Sequence, residues 1–527
     1  LSLQARLYGH QEVVQSTGSL RETLMEGARK EIFGLTEGTG ALRPLSDDEA
    51  MTMMNEGAQE VYSRLVWQVK TRYDDKGHKA TEGKLRWTIG GDKVVGDESD
   101  ENGTTQIDAT TLRTMAAVAA HRRWSMAGLD VSMAFLNAPL HVRQTRPLLL
   151  KTPTILLTMG LVPYRYSLVQ QAVYGLRTSP AAWERTRDLD LEAAMLPSGL
   201  RLVQSETDRC SWTIESSEGL VVGALATYVD DIVVVGEDAV LDAVVGVLGK
   251  GWKCGKTQVA RIGSNDTLVF TGIELRASPT GYFLHQAGYI RKMLLAEGLE
   301  CCNGRHTPME EFDEPLEEDR TSPAYKADLR RAQELIGGLL WASTRTRPDV
   351  SYSVGTLGSF AVSSPAWTCE KAKAVLRYLA ATSDHGLHYG PMVLEDSAPQ
   401  IQQEFAETRW KRGYSQKVAA ASDVRVDIYS DASFAPHVRR AMQGNDGQED
   451  VVLETGLKAV TGVAVLLGGS LVSWMSKRQA VVASSTAEAE LNGQLTGLHA
   501  AMGLSVILDF FKMSHHLVLR CDSKAAI

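Results

Sequence analysis

Asp230 and Asp231 stand side by side where one apolar run ends and another begins, in Ala226-Thr227-Tyr228-Val229-Asp230-Asp231-Ile232-Val233-Val234-Val235. Apolar runs around a short polar break predict a β-hairpin, with the two aspartates at its tip. Ionised carboxylates avoid apolar surroundings unless positive charge compensates them. Two of them between hydrophobic strands point to a divalent cation, and oxygen ligands favour Mg²⁺. A plain polar turn between core strands fits the same stretch, so the rest of the chain must decide.

A third aspartate narrows the choice. Leu129-Asp130-Val131-Ser132-Met133-Ala134-Phe135-Leu136 again ends an apolar approach in Asp, after a helix predicted over Thr111–Trp124 with Leu112, Met115 and Ala119 on one face. Asp130 and Asp230 are 100 residues apart, so only a tertiary fold can join them. Nucleotidyl transfer uses two Mg²⁺ ions about 3.5–4 Å apart, which aspartates on neighbouring strands can bridge. The transfer itself requires mainly alignment and charge neutralisation. Upstream, Arg64–Lys70 and Lys84–Ile89 alternate as strands. Their Lys84 and Arg86 could cradle a triphosphate, or form a merely solvated face.

The bulk numbers bound the class. At ~100–200 residues per domain, 527 residues imply three or four domains. Hydrophobic content of 44% and charged content of 23% fit a globular chain. The net charge of −9 speaks against a basic surface overall but leaves a local basic groove open. The six cysteines form no CxxC and no zinc spacing, and Cys301-Cys302…His306 reads as packing or loop. A reducing compartment fits. No apolar run reaches the ~18 residues of a membrane span, so no membrane partner is expected. No signal peptide is evident. The chain opens on Leu1 and closes at Ile527 in what reads as an unfinished helix, so a fragment of a longer protein is expected.

Further on, residues 325–343 and 370–381 read as amphipathic helices, and 391–425 as a polar linker. A new domain then starts. Val426–Ser433 reads as a strand carrying Asp431. Thr461–Leu467 and Leu471–Trp474 read as paired strands, and Leu517–Ser523 as a strand ending at Asp522. Ser485 with Glu488 predicts a capping box opening a helix, which leaves Glu490 as the free carboxylate.

Four segments together resemble the reverse transcriptase of copia-type LTR retrotransposons. They are Asp130-Val131…Ala134-Phe135-Leu136-Asn137, Val173-Tyr174-Gly175-Leu176-Arg177…Ser179-Pro180…Trp183, Tyr228-Val229-Asp230-Asp231, and Phe270…Gly272-Ile273-Glu274. The resemblance implies an α+β and α/β multidomain chain, a right-hand polymerase (fingers, palm, thumb) followed by a ribonuclease H-like mixed sheet with helices. It divides the chain into an N-terminal helical extension (1–55), fingers and palm (56–275), thumb and connection helices (276–390), the linker (391–425) and the nuclease domain (426–527), C-terminally truncated. Asp130, Asp230 and Asp231 become the catalytic carboxylates, with Asp231 turned further away. Lys84, Arg86, Phe135, Gly175, Leu176, Arg177 and Tyr228 are implied at the nucleotide site, Phe135 as the gate against a ribose 2′-OH. Thr271, Gly272 and Ile273 resemble a primer-gripping hairpin. Strand-Asp, helix-Glu, strand-Asp resembles the ribonuclease H pattern, which implies that Asp431, Glu490 and Asp522 bind Mg²⁺ as well. A fourth acidic residue of that pattern would lie past Ile527. Two departures stand out: Gln171 where the family has lysine, and a looser Leu85–Asp92 segment.

The implied cofactor is Mg²⁺, with Mn²⁺ as the alternative. The implied partners are an RNA template, a DNA primer, RNA–DNA hybrid and dNTPs, with other Pol segments such as integrase. The implied location is cytoplasmic, in a virus-like particle, or nuclear. The competing readings are a decayed or domesticated copy that binds nucleic acid without catalysis, and a free-standing nuclease.

Overall fold

The computed structural model describes residues 3–73, 79–94, 104–140, 146–310, 315–393, 423–434 and 458–522. At its centre is a six-stranded sheet in the order Gln258–Ala260, Ser125–Asp130, Asp231–Gly236, Val221–Tyr228, Ser211–Glu215 and Arg201–Gln204, every neighbouring pair antiparallel. Successive strand residues point to opposite faces. Here both faces are covered, which explains unbroken apolar runs in place of alternation. Ala224, Ala226, Val233 and Val235 join a core with the Ala109–Arg122 helix. Leu225, Ile232 and Val234 join the opposite core, with Trp183, Leu191, Val244 and Leu248 from the Ser179–Glu192 and Asp238–Gly251 helices.

The first 55 residues are mostly helical, as expected, but two strands also tie them into the sheets that follow. Leu3–Tyr8 is a strand paired with Ser63–Tyr73, which pairs in turn with Lys79–Ile89. Leu42–Leu45 pairs with Tyr166–Val169 in a second small sheet. The helix Gly18–Phe33 lies against the Lys79–Ile89 strand at glycine-to-glycine distance: a Cβ on Gly27 would meet the Gly83 carbonyl at 2.4 Å. Leu24 and Ala28 are spaced by about one helical turn, a local signal, whereas the strand Leu3–Tyr8 finds its partners about 60 to 70 residues downstream.

The boundary expected at residue 275 also falls inside one structure. Thr267–Phe270, Ile273–Ala277, Tyr282–His285 and Gly386–Tyr389 form one four-stranded sheet. The helices Ala287–Ala296, Tyr325–Arg345, Ser351–Phe360 and Pro365–Ala381 pack beside it on their own core. Most of the expected linker lies outside the described residues. The last sheet runs Ser470–Arg478, Val460–Leu467, Val424–Ser433, His515–Arg520; its final pair is parallel and it is backed by the long helix Thr486–Phe510.

This C-terminal sheet docks on the rest of the chain. Every residue from Thr111 to Ala120 is buried, not one face as expected. A helix buried all round needs neighbours on all sides. The central sheet supplies one, and Val426, Val465, Val472 and Leu504 of the C-terminal domain extend the same core. Arg113 crosses that junction. Its Nε donates to the Val472 carbonyl (2.6 Å) and an Nη to the Thr344 carbonyl (2.7 Å), and its guanidinium lies 4.0 Å from the Trp474 ring centre. Burial lowers the guanidinium to about 10. Arg113→Ala leaves these carbonyls without a donor, so a loss of roughly 2–4 kcal/mol is expected. Thermal unfolding should show it, with the C-terminal domain separating as an earlier transition.

Candidate active sites

The register of the central sheet places Asp130 directly opposite Asp231, and Tyr228 opposite Asp231 on the other side. The hairpin tip is therefore Val229-Asp230. Val229 sits at φ 56°, a left-handed conformation unfavourable for a β-branched residue. Two contacts hold it there: the Trp183 indole donates to the Val229 carbonyl at 2.7 Å, and the Val131 amide to the Asp230 carbonyl at 2.8 Å. Met133, three residues past Asp130, is also left-handed at φ 55°. Strain at two backbone positions around one cluster is the pattern of a site fixed from several sides.

Asp130 and Asp230 line a cleft of about 560 Å³, and Asp231 does not. The cleft wall carries Lys84, Arg86, Phe135 and Tyr174. The Phe135 and Tyr174 rings lie 5.8 Å apart, and the Arg86 guanidinium lies 5.5 Å from the Tyr174 ring centre. Burial pushes the Tyr174 hydroxyl up to about 12, so it stays protonated near neutrality. Asp230 is exposed at the tip, yet the protein mass around its carboxyl raises it. Asp130 pushes the same way, against Arg86 and Lys84. Asp231 is pushed up to about 6, by burial first and then by the charges of Asp230 and Asp130; the Thr271 amide works against both. These crowded oxygen donors fit a hard divalent cation such as Mg²⁺ or Mn²⁺.

Several expected contacts lie elsewhere. Gly175, Leu176, Arg177 and Tyr228 do not line the cleft. Gly175, at φ 100°, packs so closely that a Cβ would meet the Ile89 carbonyl at 2.1 Å, and Leu176 is core. The Ile89 amide bonds the Tyr174 carbonyl at 2.7 Å, so this segment presents Tyr174 to the cleft. Tyr228 is half-buried against the core. Thr271 and Gly272, at φ 51° and 81°, form a tight hairpin turn, while Ile273 is 2% exposed, its side chain in the core.

A second acidic cluster sits in the C-terminal domain. Parallel pairing sets Tyr429 beside Arg520, which brings Asp431 and Asp522 to the same end of the sheet. Glu490 comes from the second turn of the Thr486–Phe510 helix and is 5% exposed. Its Oε1 accepts from the Ala432 amide at 3.3 Å, while Oε2 is buried without a hydrogen-bond partner. Burial raises its carboxyl, and Asp431 and Asp522 add to the rise. Ligand atoms of Glu490, Cys521 and Asp522 lie within 4.8 Å of one another. A buried, unpartnered carboxylate oxygen beside two further acids is a donor set that a divalent cation completes. Cys521 was not foreseen here. Glu488 does cap the helix, but its carboxylate reaches the Ser484 amide at 2.7 Å, one residue earlier than the expected box.

Residues 54–311 match the family described as reverse transcriptase (RNA-dependent DNA polymerase). That segment is a reverse transcriptase domain. The Retrovirus-related Pol polyprotein from transposon RE2 of Arabidopsis thaliana is 26% identical over 80% of this chain, and that from transposon RE1 is 28% identical over 73%. The one from transposon TNT 1-94 of Nicotiana tabacum is 23% identical over 88%. Over most of its length the chain is therefore copia-type retrotransposon Pol sequence. It spans 24%, 22% and 31% of those three relatives. A solved foamy viral protease–reverse transcriptase with double-stranded DNA aligns over 95% of this chain and 62% of its own, at TM-score 0.25 and 10% identity, too slight a likeness to bear on the fold. No described helix is long and apolar enough to cross a membrane.

The raised Asp231 carboxyl has a measurable consequence. Without metal, its proton stabilises the fold fully below its ordinary value of 3.8, and that contribution is lost as pH rises through about 6. Asp231→Asn is thus expected to exceed the parent protein in stability by about 1–2 kcal/mol above that range in EDTA, after allowance for solvent screening, and to match it in acid. Melting curves across pH check this. Added Mg²⁺ should narrow the gap by stabilising the parent protein alone.

Proposed function

We propose that this chain is an RNA-directed DNA polymerase joined to a ribonuclease H domain. One observation carries the polymerase reading. Asp130, from a strand 100 residues upstream, lies opposite Asp231 in the sheet, and together with Asp230 it floors a cleft walled by Lys84 and Arg86. In this reading residues 3–94 are fingers, the six-stranded sheet is the palm, and the helices from Ala287 onward are thumb and connection.

Asp130, Asp230 and Asp231 would hold Mg²⁺ or Mn²⁺, which supplies charge neutralisation for the attacking 3′-oxygen and the leaving pyrophosphate. The side chains do the rest. Lys84 and Arg86 bind the triphosphate. Phe135, braced by Tyr174, stands where a ribose 2′-OH would project. The Thr271-Gly272 turn meets the primer end and donates to Asp231. The primer 3′-OH forms a bond to the α-phosphorus as the bond to pyrophosphate breaks, and binding energy is spent on aligning the two. In the second cluster Asp431, Glu490 and Asp522 would hold the same ions for hydrolysis of RNA in a hybrid, where the 2′-OH marks the strand to be cut. The partners are then RNA template, DNA primer, hybrid and dNTPs.

Primer extension on an RNA template with Mg²⁺ tests the first activity. Asp230→Asn is expected to abolish extension, at least 10³-fold (order of magnitude), while hybrid binding stays near that of the parent protein. Extension surviving that change would refute the metal assignment. For the second activity, Glu490→Gln should remove cleavage of a labelled RNA–DNA hybrid and leave extension intact; cleavage unaffected by the change would place the nuclease centre elsewhere.

A further inference from the structure

The cleft has two carboxylates that the proposed chemistry does not use: Glu82, exposed and paired with Lys30 at 3.4 Å, and Glu31, which is buried. Glu31 lies near the end of the Gly18–Phe33 helix, on the face that carries Leu24 and Ala28, and it is 9% exposed. It lies in a segment upstream of the residues that match the reverse transcriptase family. The glycine-to-glycine approach of that helix to the Lys79–Ile89 strand carries Glu31 to the cleft wall. There its Oε1 accepts from the Trp87 amide at 3.3 Å. Burial raises its carboxyl, and the charges of Lys84 and Arg86 act against that rise. Lys84 and Arg86 line the same cleft, and among the described residues neither forms an ion pair.

We propose that Glu31 is a fixed counter-charge that weakens polyphosphate binding in this cleft, so that nucleotide is held less tightly and pyrophosphate leaves more readily. The inference rests on the reading of this cleft as the triphosphate site. A negative charge held beside two cations lowers the potential that an incoming polyanion meets. The carboxylate therefore sets how much of the attraction by Lys84 and Arg86 is available to a ligand. A purely structural acid would act through its bond to Trp87 alone.

Charge and hydrogen bond can be separated. Glu31→Gln keeps an acceptor for the Trp87 amide and removes only the charge. Titration calorimetry of the full chain with inorganic tripolyphosphate in Mg²⁺ is expected to show roughly threefold to tenfold tighter binding for this variant. In primer extension its KM for dNTP should fall by a similar factor, and pyrophosphate should inhibit at lower concentration. Damage to the fold cannot produce a gain in affinity. Glu31→Met, neutral and of similar length, repeats the measurement should the amide variant not fold. Polyphosphate binding equal to or weaker than the parent protein's overturns the inference and leaves the polymerase reading standing. Absence of tripolyphosphate binding in both proteins overturns the cleft reading and the inference with it.

Discussion

The pairing of Ser125–Asp130 with Asp231–Gly236 governs this molecule. Strand residues alternate faces, so a slip of one position would turn Asp130 away and present Leu129 or Val131 in its place. The register is held from both sides, because each strand buries apolar side chains on both faces and neither face can be exposed cheaply. The outcome is three carboxylates brought together against their own repulsion. Packing bears the electrostatic cost: the apolar layers above and below hold the acids where solvated chains would let them separate.

The same logic explains the backbone around the tip. A left-handed valine would ordinarily relax, but the Trp183 indole on its carbonyl and the Val131 amide on the next one leave it no room. The charges, the strain and the two bonds are properties of one short turn. The turn at Thr271, from a neighbouring sheet that shares the core of the hairpin strands, also bears on Asp231.

How much of this was legible in the residues depends on the range of the interaction. The hairpin, the helix before Asp130 and the acids at strand ends are readable, because apolar periodicity and charge position are local signals. Phe135 and Lys84 line the cleft with Asp130 and Asp230, Phe135 from an ordered motif and Lys84 from a basic alternating strand. What failed was long-range or compensatory. The strand Leu3–Tyr8 gains its partner only at Ser63–Tyr73. Gly175 and Leu176 carry a recognisable motif yet serve to seat Tyr174. Ile273 belongs to the core because hairpin alternation turns it inward. Glu31 had one available signal, an acid in phase with Leu24 and Ala28 on a helix face that should be apolar. Cys521 had none, since its role depends on parallel pairing with a strand some ninety residues earlier.

The buried helix Ala109–Arg122 has an effect on the whole chain. Its residues belong at once to the core under the central sheet and to the core of the C-terminal domain, with Arg113 bonded across the seam. The two acidic clusters are thus mounted on one continuous solid, and the spacing between them is a dimension of that solid. An altered side chain at the seam would change it. Any ligand long enough to span the two clusters would meet them at a constant interval, as if measured by a gauge block.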